Sequence, residues 1–186
     1  SEVDEVIKRL DELIEELRKR NDDIIREIEK LIKRLEEENK EIVDRIRELI
    51  KRLEDMVRRL KDKKTVDDVL KEIEDRVREL AKRSRERNEE VLRRVERLVR
   101  ESRKTNERIL RRIEELFDRI RRRMKDDKDV LDRLREVLDR LRKEIERLTR
   151  KNEEVLKDVR RRVKRSSEEN EKVLKEVRER IERLKK

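Results

Sequence analysis

Asn21-Asp22-Asp23-Ile24-Ile25-Arg26-Glu27-Ile28-Glu29-Lys30-Leu31-Ile32-Lys33-Arg34-Leu35-Glu36-Glu37-Glu38-Asn39 decides how this chain folds. Its two asparagines are 18 residues apart, which is five turns of an undistorted α-helix at ~3.6 residues per turn. Both therefore point the same way. The apolar residues between them fall on one arc roughly 120° wide, and the asparagines lie inside that arc. The stretch reads as a helix with polar residues set into its buried face.

The same unit recurs at Asn88 to Asn106 and at Asn152 to Asn170. Apolar residues at helical spacing continue on either side of each copy. The pattern lapses twice, at Lys61-Asp62-Lys63-Lys64-Thr65 and at Met124-Lys125-Asp126-Asp127-Lys128-Asp129. Helices are expected over about 2–61, 66–124 and 129–185, with Ser1 and Thr65 as N-terminal capping residues. The short connectors make consecutive helices antiparallel. Met56, Phe117 and Met124 sit in the stripe and read as core filling.

Register gives a separate check. In an antiparallel pair, residues at one height have a constant sum of numbers. Asn21 and Asn106 add to 127, as do Asn39 and Asn88, and Asn106 with Asn152 matches Asn88 with Asn170 at 258. The half-sums fall at the two connectors. The predicted fold is all-α: one straight, antiparallel up-down-up three-helix bundle over 1–186, with an 18-residue repeat, roughly 85 to 90 Å long. Asn21, Asn106 and Asn152 would form one layer, with Ser102 and Thr149 beside them. Asn39, Asn88 and Asn170 would form a second, about 27 Å along the axis, near Ser84, Ser166 and Ser167. Amides buried in such layers must satisfy one another, so the layers favour one register.

Composition narrows the chemistry. Of 186 residues, 61% are charged and 31% hydrophobic, and Gly, Pro, Cys, His, Trp and Tyr are absent. Without His or Cys there is no conventional nucleophilic dyad and no strong transition-metal ligand, and without Gly no phosphate-binding loop. No catalytic residue, cofactor-binding residue or metal ligand is expected, and no cofactor. No apolar run approaches the roughly 20 residues that span a bilayer, so the expectation is a soluble protein with no membrane partner. The net charge of +10 is unevenly spread: residues 1–62 carry 17 basic and 20 acidic side chains, residues 63–125 carry 23 and 15. Ion-paired, solvated helix faces explain most of this, with weak, non-specific polyanion binding expected at low salt.

The chain resembles computationally designed (de novo) parametric helical bundles with buried hydrogen-bond networks. The resemblance rests on the missing helix breakers, the Leu/Ile/Val stripes, the Glu/Asp/Lys/Arg surfaces and the Asn and Ser placements. It implies a hyperstable scaffold with no natural activity or localisation, expected from recombinant expression as a monomer without a ligand. The alternative it implies is an interaction module, switch or assembly component whose polar layers choose partner helices, through self-association or a designed partner.

Overall fold

The computed structural model describes residues 2–185, which form three α-helices: α1 (Glu2–Arg59), α2 (Lys63–Arg123) and α3 (Lys128–Lys185). No strand occurs among the described residues. The cap expected of Ser1 lies outside them. Glu2, Asp4 and Glu5 occupy the first turn of α1, and each helix ends in basic residues, such as Arg121, Arg122 and Arg123 on α2. Both arrangements oppose the helix dipole favourably.

The two connectors are short, and an aspartate closes each. Helix α2 begins at Lys63, ahead of the start expected at about residue 66, because Asp62 caps it: its Oδ1 accepts from the Lys64 N–H at 3.3 Å and its carbonyl from the Val66 N–H at 3.1 Å. The Thr65 hydroxyl, expected to be the cap, instead donates to Asp62 Oδ2 at 2.9 Å. Asp127 does the same for α3, accepting from the Val130 N–H at 3.3 Å. No described residue has a positive φ. Both turns are thus made without the left-handed conformation for which glycine is usually needed, consistent with a chain that has none.

The chain divides into two compact units, one of Ser1–Glu29 with Val95–Asp158, the other of Lys30–Arg94 with Val159–Lys186. In the first unit, ion pairs join Asp4 to Arg133, Asp11 to Arg140 and Asp22 to Lys151, numbers rising together, so α1 and α3 run parallel. Helix α2 opposes both: Glu2 lies by Arg123 whereas Asn21 lies by Asn106. The core of this unit is built on Leu10, Ile14, Leu17, Ile113, Leu141 and Leu148, with Phe117 packed against it.

The second unit repeats the arrangement. Glu36 pairs with Arg162 and Glu54 with Arg180, and its core holds Ile46, Ile50, Leu53, Leu70, Val77 and Val173. A fully buried leucine or isoleucine side chain contributes about 1.5 to 3 kcal/mol, and the apolar stripes supply many. Met56 departs from expectation. It is 47% exposed rather than core, because it sits at the edge of the stripe, about 60° around α1 from fully buried Leu53.

Candidate functional site: two polar layers

Eight polar side chains are buried in these cores: Asn21, Asn39, Ser84, Asn88, Ser102, Asn106, Asn152 and Asn170. In the first unit, Asn21 Nδ2 on α1 donates to Asn106 Oδ1 on α2 at 3.0 Å, and Asn106 Nδ2 donates to Thr149 Oγ1 on α3 at 3.3 Å. The Ser102 hydroxyl on α2 returns to Asn21 Oδ1 at 3.0 Å, and Asn152 Nδ2 on α3 reaches Ser102 Oγ at 2.7 Å. These bonds form an open circuit over three helices: Thr149, Asn106, Asn21, Ser102 and Asn152 are linked in a line that starts and ends on α3. Thr149 also donates back to the Ile145 carbonyl at 2.9 Å, and Asn21 to that of Leu17 at 2.8 Å, so the i−4 carbonyls share the load.

The second unit makes the same four bonds with residues displaced by 18 positions. Asn39 Nδ2 donates to Asn88 Oδ1 at 2.8 Å, Asn88 Nδ2 to Ser167 Oγ at 3.4 Å, Ser84 Oγ to Asn39 Oδ1 at 2.5 Å and Asn170 Nδ2 to Ser84 Oγ. Asn170 is therefore held by Ser84 and not by a neighbouring asparagine. Charged groups cannot substitute in such sites without a large desolvation cost, whereas neutral amides and hydroxyls that pair with one another remove most of theirs.

The layers differ in two respects. At the first, Asn21 Oδ1 receives Ser102, Asn152 and Asn106, the last two at 2.8 and 3.3 Å, while Asn152 Oδ1 is buried and receives nothing. At the second, Ser166 takes no part in the circuit. It is half-buried and lines a cleft of about 310 Å³ between α1 and α3 that reaches Asn39 and Asn170. The residue 18 positions earlier is Leu148, 2% exposed in the core. Ser166 and Ser167 look alike in the sequence, but the offset separates them: Ser167 precedes Asn170 by three residues as Thr149 precedes Asn152.

Ion pairs flank the layers. Glu144 on α3, with its side chain 15% exposed, accepts from Arg147 Nη2 at 2.6 Å and from Arg18 Nε of α1 at 2.9 Å. Those two guanidinium groups outweigh burial and lower its carboxyl to about 2. Glu144 in turn raises Arg18, as Glu38 at 3.0 Å raises Arg87 in the second unit. Acidic residues of α1 thus face arginines of both neighbours, which the charge bias of residues 1–62 foreshadows. Among the described residues, no group of three or more acidic side chains is placed to hold a metal ion, and no helix is long and apolar enough to cross a membrane.

No protein-family profile matches the sequence, and no curated protein is similar to it. Among solved structures it is similar to one described as a "Computationally designed three helix bundle", with a TM-score of 0.65 and 17% identity, over 98% of this chain and 88% of that one. The likeness defines the class: an all-α three-helix bundle.

Proposed function

We propose that this chain is a designed structural scaffold without a natural biochemical activity, and that its two polar layers specify helix register. One observation carries the reading. Each layer makes the same four-bond line across all three helices, starting and ending on α3, using side chains with no other evident chemistry. A helix slipped by one turn, about 5.4 Å, would place amides against aliphatic side chains, and each stranded group costs about 1 to 3 kcal/mol. A slip of 18 residues would re-pair one set of partners and strand the other. The resemblance of composition and fold to designed bundles supports the same conclusion.

The test compares the chain with a variant whose layers are apolar: Leu at Asn21, Asn39, Asn88, Asn106, Asn152 and Asn170, Ala at Ser84, Ser102 and Ser167, and Val at Thr149. Light scattering gives the mass, and spin labels at the exposed positions Glu12 and Glu136 report register. The native chain should show a monomer of 23.3 kDa and one distance distribution. The variant should fold and show additional distances or masses. A variant with the native mass and a single distance would remove register from the layers' role, and a native mass above 23.3 kDa would favour the interaction-module reading.

A further inference from the structure

One row of side chains on α2 belongs neither to the core nor to the ion-pair network. Arg97, Arg100, Lys104, Arg108 and Arg111 follow one another at i+3 and i+4 spacing, all exposed and all within the first unit. At ~100° per residue they lie within about 40° of a single line along the outer face of the helix, spanning roughly 21 Å. None of them makes an ion pair, although acids are at hand: Glu107 is taken by Arg103 at 3.4 Å, and Glu114 by Arg142 of α3 at 3.2 Å. Elsewhere on the surface some basic side chains have an acidic partner one turn away, as Arg52 has Glu48 and Arg78 has Glu74, and exposed cations without one, such as Lys157, Arg161 and Lys164 on α3, form a shorter row. Here five cations stand in an unbroken line.

We propose that this ridge is a binding surface for the phosphate backbone of duplex nucleic acid, read by charge and not by sequence. Duplex DNA carries about one negative charge per 1.7 Å of axis, so the length of duplex beside the ridge holds on the order of a dozen phosphates, of which those on the near side are within reach of the five cations. Four of the five residues are arginines, which offer forked N–H donors to phosphate oxygens. The row has no aromatic side chain on which an unstacked base could rest, so a duplex suits it better than a single strand. Glu101 and Glu107 lie about 60° to either side of the line and confine the positive surface to a strip.

The experiment is fluorescence anisotropy with a labelled 20-base-pair DNA duplex, titrated with the intact protein between about 50 and 150 mM salt. Five neutralised phosphates predict a log–log salt slope of about −4 to −5, roughly a hundredfold loss over that range. Arg97→Glu/Lys104→Glu/Arg111→Glu should weaken binding at least tenfold at the lower salt. Lys8→Glu/Arg9→Glu/Lys19→Glu changes net charge equally on exposed positions of α1 and should weaken it far less. Circular dichroism verifies that both variants remain helical. No binding by the native chain at 50 mM salt, a flat salt dependence, or equal losses in the two variants would each overturn the assignment. A single-stranded probe bound more tightly than the duplex would overturn the choice of partner.

Discussion

Asn152 Nδ2 donates to Asn21 Oδ1 at 2.8 Å, while the carbonyl oxygen of Asn152 itself receives no hydrogen bond from the protein. Asn21 is the acceptor on which the first layer converges, and Asn152 is a donor at its margin. Asn21→Leu would leave the Ser102 hydroxyl and one N–H each of Asn106 and Asn152 without an acceptor. Asn152→Leu removes an unpaired buried carbonyl and leaves Ser102 and Asn106 still donating to Asn21. With each stranded group worth about 1 to 3 kcal/mol, the first substitution should cost about 3 kcal/mol more than the second. Guanidinium unfolding midpoints of the two variants test this, and equal midpoints would refute the asymmetry.

Glu144 predicts how stability responds to acid. Its carboxyl is lowered from the ordinary 4.5 to about 2 by Arg147 and Arg18. Between these values the unfolded chain binds the proton and the folded chain does not. Its contribution is therefore complete above about pH 4.5 and is lost as pH falls through 2. Glu144→Gln should cost about 1 kcal/mol at neutral pH, a difference that disappears at the acid end of this window. Urea titrations of both proteins at several acid pH values measure it, and a difference that does not change with pH would contradict the assignment.

Filling the cleft at the second layer should stabilise the bundle. Ser166→Leu places at position 166 the side chain found 18 residues earlier at Leu148, and leucine is also the better helix former. The expected gain is about 1 kcal/mol, less than full burial of a leucine because the cleft stays partly open. Hydrogen exchange of the Asn39 and Asn170 side-chain amides should slow in the variant. A loss of stability would mean that the Ser166 hydroxyl has a role beyond lining the cleft.

The start of α2 is the least favourable helix end. Its first turn holds Lys63 and Lys64 and no acid, against the dipole. Lys64→Glu should raise stability by about 0.3 to 1 kcal/mol, most at low salt. Asp62→Ala removes the cap and should cost about 1 kcal/mol. Thermal melts in low and high salt separate the two effects, since only the first should fade with added salt.

Much of this architecture is legible in the residues. The apolar stripes and the constant sums of asparagine numbers foretell three helices in up-down-up order, because helical periodicity is strict and no breaker interrupts it. The helix starts are less legible. Aspartate and threonine both cap, and only the placement of the chain shows that Asp62 outcompetes Thr65. The asparagines and hydroxyls stand out in the sequence as two groups, but their wiring does not. Which amide donates, and that Ser166 faces a cleft while Ser167 joins the circuit, depends on side-chain direction within a fraction of a helical turn. The Arg18–Glu144 pair was hidden for the opposite reason: a surface so rich in charge offers each arginine many carboxylates at comparable spacing.

The recurrence of one circuit after 18 residues also makes the length of the helices adjustable in fixed increments. A chain given 18 further residues on each helix, copied from between Asn21 and Asn39 and from the matching segments of α2 and α3, would gain a third layer, every new amide meeting its counterpart without redesign of the turns at Asp62 and Asp127. An increment far from a whole number of turns would set a different face of the helix inward and bury charge, and one of about 7 or 11 residues would keep the apolar face inward without completing a further layer. The sequence thus carries its own ruler, graduated in five-turn steps of roughly 27 Å.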